Sequence, residues 1–479
     1  MRADLIFADA TVVDGSGQAR FRAHIAVQGD RIVQVGDFAI PPQTPVVDAS
    51  GLVAAPGFID SHTHDDGYLL AHPDMTPKVS QGVTTVVTGN CGISLAPWTG
   101  GGDIPQPLDL LGPAQLFRFA TFAEWIAALR AAPAAVNVVP LVGHTTLRVV
   151  TMSDVSRPAD AQEIAHMQAL VDQALQAGAF GVSTGTFYPP AAAAPTEEII
   201  QACEPLRVRG GVYATHLRDE GDHILPAMHE ALEIGRALGC RVVFSHHKVV
   251  GARNHGRTRE TLALITQAAE HQPVCLDCHP YPATSTMLRL DRVRLAERTL
   301  VTWSKGYPAA TGRDFAEVMR ELGTDDAGAV QRLSPAGAIY FLMDPEDVKR
   351  IFRHPLTMVG SDGLPFDPHP HPRQWGTFTN VLRAMVREQN LLTLETAIHR
   401  MTGLAASQYG LSGRGLLRPG HYADIVLFDP QAVTDTATFD EPRQVSRGIH
   451  GVWVNGQQVW DGRQAGTARP GRVLERAWR

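Results

Sequence analysis

Two histidines one residue apart, His62 and His64, follow the apolar Phe58-Ile59 in PGFIDSHTHDD, and two acids come directly after them. Other residues able to bind a metal or move a proton end similar apolar runs: Cys91 in TTVVTGNC, His216 in GVYATHL, His246 in RVVFSHHK and Asp362 in TMVGSD. A buried polar group must be paired or bonded to something. Imidazole, thiolate and carboxylate are all usual zinc ligands. A divalent ion would take the histidine lone pairs and pair with the anions. One histidine at a strand end is ordinarily a satisfied structural residue, but six such groups at equivalent strand ends point to a metal site.

The elements that must position them follow a repeat. Apolar runs at 57–64, 84–91, 136–144, 179–185, 211–217, 241–248, 273–281 and 357–362 alternate with helix-like stretches such as DAQEIAHMQALVDQALQAG, closed by glycine. Near-continuous apolar strands between helices mean parallel strands covered by helices. Eight of them predict a (β/α)8 barrel, whose chemistry sits at the C-terminal strand ends. His62 and His64, two apart, share a strand face. His216 and His246 are about one β/α repeat apart, on neighbouring strands, and Cys91 follows His62 by one repeat. The two chain ends read differently. Short alternating runs and turn dipeptides, including Asn455-Gly456, predict antiparallel strands and a hairpin. The expected organisation is a small β-sandwich domain built from 1–54 plus 415–479 and a barrel over 55–414. Seventy-five residues separate Tyr281 from Thr357, too many for one crossover helix, so an insertion or lid is expected at about 285–350.

Composition narrows the partners. The chain has 479 residues, 44% apolar and 19% charged, with formal net charge −7. This is a globular profile, and the acidic balance argues against nucleic acid and anionic membranes. No run of about twenty apolar residues is present to span a membrane. The first residues lack the basic start and apolar core of a signal peptide. Five cysteines, an odd number, fit free thiols in a reducing compartment. The expected localisation is cytoplasmic and the expected partner a small molecule; the oligomeric state is not legible.

SHTHDD, VTGNCGIS, ATHLRDEGD, FSHHK and GSDG, in this order, resemble the amidohydrolase superfamily, and within it the D-aminoacylases, which are N-acyl-D-amino-acid deacylases. The resemblance runs over nearly the whole chain. Many amidohydrolases bridge two metals with a modified fourth-strand lysine; AFGVSTG has none, and Cys91 is the expected substitute. The resemblance implies one tight zinc site on Cys91, His216 and His246. It implies a weaker second divalent site on His62 and His64, with Asp362 near both and acting as general base. It makes Lys248, Tyr281 and Arg373 substrate-binding candidates, a guanidinium being suited to a carboxylate. Arg289, Arg292 and Arg294 in MLRLDRVRL could receive a second, side-chain carboxylate, and this segment resembles deacylases of N-acyl-D-glutamate. The alternative for these three arginines is a surface face pairing with Asp291 and Glu297.

Other signals carry less. Gly181-Val-Ser183-Thr-Gly185 fits the nucleophile-elbow pattern but lacks the helix that must follow the serine, since Pro189-Pro190 come soon after. Cys275 and Cys278, three apart on a strand, face opposite sides. Cys203 and Cys240 read as structural. His369 and His371 alternate with prolines in a loop. His144 ends a strand without a determined role, and His247 should point away from His246. The competing functions are a cyclic-amide hydrolase of hydantoinase or dihydroorotase type, disfavoured by the missing lysine, and a non-catalytic scaffold on the same fold.

Overall fold

The structure, a computed structural model, describes residues 2–476. Eight parallel strands form its centre: β1 (Phe58–Asp60), β2 (Val83–Thr88), β3 (Asn137–Pro140, resumed at Val142–Gly143), β4 (Gly181–Gly185), β5 (Val212–His216), β6 (Arg241–Phe244), β7 (Val274–Cys278) and β8 (Thr357–Val359). They pair in sequential order in two arcs. One seam closes through Phe180 N donating to Pro140 O at 2.8 Å, the other through Ser61 N donating to Val359 O at 3.2 Å. The result is a (β/α)8 barrel. Every residue of β2, β4, β5 and β7 is buried, because one face fills the barrel and the other meets the helices. Inside, Ile59, Val87, Val139, Ala214, Val243 and Met358 form one cluster with the helix Gly403–Tyr409 beneath it.

The crossover helices end as their sequence directs. Ala161–Ala177 starts on Asp160, whose carboxylate accepts from the backbone of Gln162 and Glu163 while Glu163 reaches back to Asp160 N. Such a box satisfies amides that the helix cannot pair itself. The helix stops at Gly178, which holds a left-handed φ of 114°.

The chain ends meet in one sheet. Leu5–Val12, Phe21–Gln28, Arg31–Gly36, Val46–Asp48 and Val53–Pro56 join Ile425–Phe428, Ile449–Val454 and Gln457–Trp460 in eight strands, with Val53–Pro56 antiparallel to Ile425–Phe428. Asn455 and Gly456, at φ 48° and 80°, make the turn of the last hairpin. A Cβ on Gly456 would lie 2.1 Å from Gly29 O. Between β7 and β8, Ala283–Met287, Arg298–Ser304 and Ala336–Phe341 build a small antiparallel sheet. Its first strand brings Thr284, Ser285 and Thr286 to a pocket at the barrel mouth. Among the described residues no helix is long and apolar enough to cross a membrane, and all five cysteines are free and buried.

The first and last barrel strands are tied by a buried charge cluster. Lys78 Nζ lies 2.8 Å from Asp60 Oδ2, 3.3 Å from Asp65 Oδ2 and 2.9 Å from Ser361 Oγ. Ser361 N donates to the other Asp60 oxygen at 2.8 Å. Burial pushes the lysine toward neutrality, but Asp60 and Asp65 outweigh it and keep it charged. Removing the ammonium strands two buried carboxylates. Lys78→Met is therefore expected to cost about 3–5 kcal/mol of folding free energy, read from the urea midpoint; a loss under about 1 kcal/mol would mean that the cluster is not what joins these strands.

Candidate metal centre

The strand ends bring six side chains into one chain of contacts. Cys91 Sγ lies 3.3 Å from His62 Nε2 and 3.2 Å from His246 Nε2. His246 Nε2 is 2.9 Å from His216 Nδ1. Asp362 Oδ1 is 3.5 Å from His62 Nε2 and 3.2 Å from His64 Nε2. All six residues are buried. Around a tetrahedral ion, bonds of about 2.0–2.3 Å subtend ligand–ligand edges of about 3.3–3.8 Å. The observed separations, 2.9–3.5 Å, lie within or just below that range, and Cys91, His62, His246 and Asp362 each offer one donor atom within 4.8 Å of the others. Burial pushes the Cys91 thiol up, but His246 and His62 outweigh it and hold it well below the usual thiol range, as the thiolate that a metal needs. These residues fit a thiophilic divalent ion.

Backbone strain aims three of them. Cys91, His246 and Asp362 have φ of 53°, 35° and 51°, in the left-handed region that costs a non-glycine residue of order 1–3 kcal/mol. Neighbouring groups enforce each turn. His246 N donates to Asp277 Oδ1 at 2.8 Å, and Asp362 N donates to His62 O at 2.8 Å. The Cys91 loop is pinned by Ser183, whose hydroxyl donates to Gly89 O and accepts from Gly92 N at 2.9 Å. Gly185 lies beneath it; a Cβ there would come within 2.1 Å of Cys91 O. The Gly181–Gly185 motif thus supports the cysteine loop instead of carrying a nucleophile.

The substrate-binding candidates divide. Lys248 and Arg292 line the pocket beside the cluster. Both hold one buried carboxylate, Glu220: Lys248 Nζ is 2.6 Å from its Oε1 and Arg292 Nη2 3.3 Å from its Oε2. Arg292 also lies over the Phe187 ring, 4.3 Å from its centroid. Arg289 pairs with Asp291 at 2.9 Å, whereas Arg294 pairs with Asp326 at 2.7 Å and not with Glu297. Arg373 is placed otherwise than its reading as a free carboxylate receptor requires. It is fully buried behind Asp362, 2.9 Å from Oδ2, and also donates to Thr284 Oγ1 and Ser285 O at 3.1 Å. Burial pushes the Asp362 carboxyl up, but Arg373, His246 and His64 outweigh it and hold it well below the usual range. Tyr281 is not brought to the pocket: the chain bends at Pro280 and Pro282, its ring packs on His371 at 5.1 Å, and its hydroxyl lies against Gly376.

Two acids escaped the sequence reading. Asp277, between Cys275 and Cys278, anchors His246 and lies 3.2 Å from His62 Nδ1. Glu220 stands in the ATHLRDEGD stretch and carried no role there. Phe187 and Tyr188, 5.1 and 5.0 Å from the His216 ring, were also missed. The remaining histidines lie outside the cluster. His247 turns to Thr261 at 2.9 Å, and burial presses it down to about 3. His371 bonds Ala283 O at 3.1 Å, His369 bonds Phe439 O at 2.7 Å, and His144 faces Glu198 at 3.6 Å.

The chain is similar to known proteins over nearly its whole length. The profile of the amidohydrolase family matches residues 45–460. An N-acyl-D-aspartate deacylase of Alcaligenes xylosoxydans xylosoxydans is 73% identical, over 99% of this chain and 95% of its own. This chain belongs to the amidohydrolase family. Within the family it stands with the D-aminoacylases. A solved D-aminoacylase, with a binuclear metal centre showing one-metal activation and second-metal attenuation, superposes with a TM-score of 0.97 at 55% identity, covering 99% of this chain and 100% of that one. An N-acyl-D-glutamate deacylase of Bordetella bronchiseptica, complexed with zinc and a phosphonate mimic of the tetrahedral intermediate, superposes with a TM-score of 0.96 at 45% identity, covering 99% and 100%.

In this amidohydrolase the thiolate is the only anionic sulfur in the cluster and lies in contact with two imidazoles. Cys91→Ala is expected to fold yet retain well under half of the wild-type metal after dialysis, measured by elemental analysis. Wild-type metal content in that variant would move the ion off the cysteine.

Proposed function

We propose that this chain is a zinc-dependent deacylase of N-acyl-D-amino acids, with N-acyl-D-aspartate as the preferred substrate. The observation that carries the proposal is the pairing of two features in one pocket: a thiolate–imidazole–carboxylate cluster at metal-ligand spacing, and two cations, Lys248 and Arg292, beside it. Thiolate and imidazole donors suit zinc and disfavour magnesium or calcium, which take oxygen. The tight site is assigned to Cys91, His216 and His246, and a weaker second site to His62 and His64. When bound, zinc supplies a Lewis acid that lowers the pKa of water from about 15.7 to about 7 and polarises the amide carbonyl.

The chain's own residues do the rest. Arg373 ties one oxygen of Asp362 and leaves Oδ1 facing the histidines. Held as the anion, Asp362 takes the proton of the attacking water and returns it to the leaving amine. Lys248 receives the α-carboxylate and Arg292 the side-chain carboxylate. These two cations share the two oxygens of Glu220 and so stand close together. Close spacing suits the shorter diacid, as does 73% identity to an N-acyl-D-aspartate deacylase. Sequence alone had favoured N-acyl-D-glutamate.

Asp362→Asn should keep its zinc and lose about 10²–10⁴-fold in kcat, measured on N-acetyl-D-aspartate; near-wild-type turnover would remove Asp362 as the base. Arg292→Met should lower kcat/KM for N-acetyl-D-aspartate by about 10–100-fold, the worth of one charged hydrogen bond, and leave N-acetyl-D-leucine nearly unchanged. A wild-type preference for the leucine substrate would overturn the assignment of an acidic substrate.

A further inference from the structure

Glu220 is a fully enclosed carboxylate with more partners than a structural ion pair needs. It is only 4% exposed. Its Oε1 meets Lys248 Nζ at 2.6 Å, His246 Nδ1 at 3.4 Å and His216 Nε2 at 3.6 Å, while Oε2 meets Arg292 Nη2 at 3.3 Å. Both histidines thus turn one nitrogen toward Cys91 and the other toward Glu220. His246 presents Nε2 and His216 presents Nδ1 to the cluster. The opposite nitrogens, His246 Nδ1 and His216 Nε2, face the same carboxylate oxygen.

A neutral imidazole carries one proton. If His216 Nδ1 gives its lone pair to a metal, the ring proton must sit on Nε2, and it needs an acceptor. At His246 the Lys248 ammonium is the nearer neighbour, 2.7 Å from Nδ1, so Glu220 takes no ring proton there. His216 Nε2 has no hydrogen-bond partner within ordinary reach, and Glu220 Oε1 is the carboxylate oxygen aimed at it. His216, Glu220 and His246 could themselves hold a cation on this far side, but the Lys248 ammonium already occupies that space.

We infer that Glu220 is a positioning residue that serves both halves of the active site: it fixes the ring proton of His216 for metal binding, and it sets Lys248 and Arg292 to receive the two carboxylates of the substrate. The second half rests on the deacylase reading above; the first half does not. Metal-ligating histidines commonly hand their other N–H to a carboxylate, and losing that partner lowers metal affinity about 10–100-fold.

The test is a double-mutant cycle on the zinc-loaded enzyme with two readouts. The first is zinc affinity, by competition with a chromophoric chelator. The second is the ratio of kcat/KM for N-acetyl-D-aspartate to that for N-acetyl-D-leucine. Glu220→Gln is expected to weaken zinc binding about 10–100-fold and to lower the substrate ratio at least about tenfold, one charged hydrogen bond's worth. Arg292→Met should lower the ratio and leave zinc affinity alone. The double variant should lower the ratio no further than the larger single effect, because both changes break one contact. Glu220→Asp, which keeps the charge one carbon short, should fall between wild type and Glu220→Gln in zinc affinity, and it carries the zinc arm if the glutamine variant does not fold. Zinc affinity within twofold of wild type in the variants of Glu220, or ratio effects that multiply in the double variant, would reduce Glu220 to a structural ion pair. If wild type does not cleave N-acetyl-D-aspartate, the deacylase reading fails, while the zinc arm still decides the role of Glu220 toward His216.

Discussion

The organising constraint is a thiolate buried among imidazoles. An ionised sulfur in a water-poor interior is costly unless positive or polarising groups surround it. Cys91 is 1% exposed, and His62, His216 and His246 surround it. The same crowding is unfavourable to the histidines unless their lone pairs have a common target. Bringing these groups together requires the C-terminal ends of four strands, β1, β2, β5 and β6, to lie on one rim, which only the closed barrel supplies. Strand order, seam hydrogen bonds and the charge cluster of Lys78 all keep that rim together.

Precision beyond the barrel comes from strain and from buttresses. Three residues of the cluster hold left-handed backbone that their side chains disfavour, and neighbouring groups hold each of them there. Asp277 fixes His246, the seam with His62 fixes Asp362, and Ser183 with Gly185 fixes the Cys91 loop. Local cost of this kind persists where the surroundings over-determine the conformation. The pocket wall follows the same pattern, with Arg373 committed to Asp362 and Glu220 holding Lys248 and Arg292.

The readable and unreadable parts of the sequence differ for physical reasons. The eight barrel strands stood out because parallel strands are buried on both faces and so read as unbroken apolar runs. The six clustered residues stood out because each ends such a run, where polarity is out of place. Asp277 lies inside a strand between two cysteines, and a single acid there has no period to betray it. Glu220 sits in a charged loop that reads equally well as solvated surface. Tyr281 was a candidate from the resemblance alone; the two prolines that flank it bend the chain and carry its ring onto His371, away from the pocket. Arg373 could be seen as a cation but not as one already engaged by Asp362. Positive φ at non-glycine residues leaves no mark in composition or spacing.

The sheet shared by the two chain ends has a temporal consequence. Val53–Pro56 lies between Leu5–Val12 and Ile425–Phe428, so its second edge stays unpaired until Ile425–Phe428, which follows the whole barrel in the sequence, leaves the ribosome. The earlier strands must wait beside a nearly finished cylinder, and the hairpin 449–460 acts as a clasp that closes an assembly already holding its reactive groups.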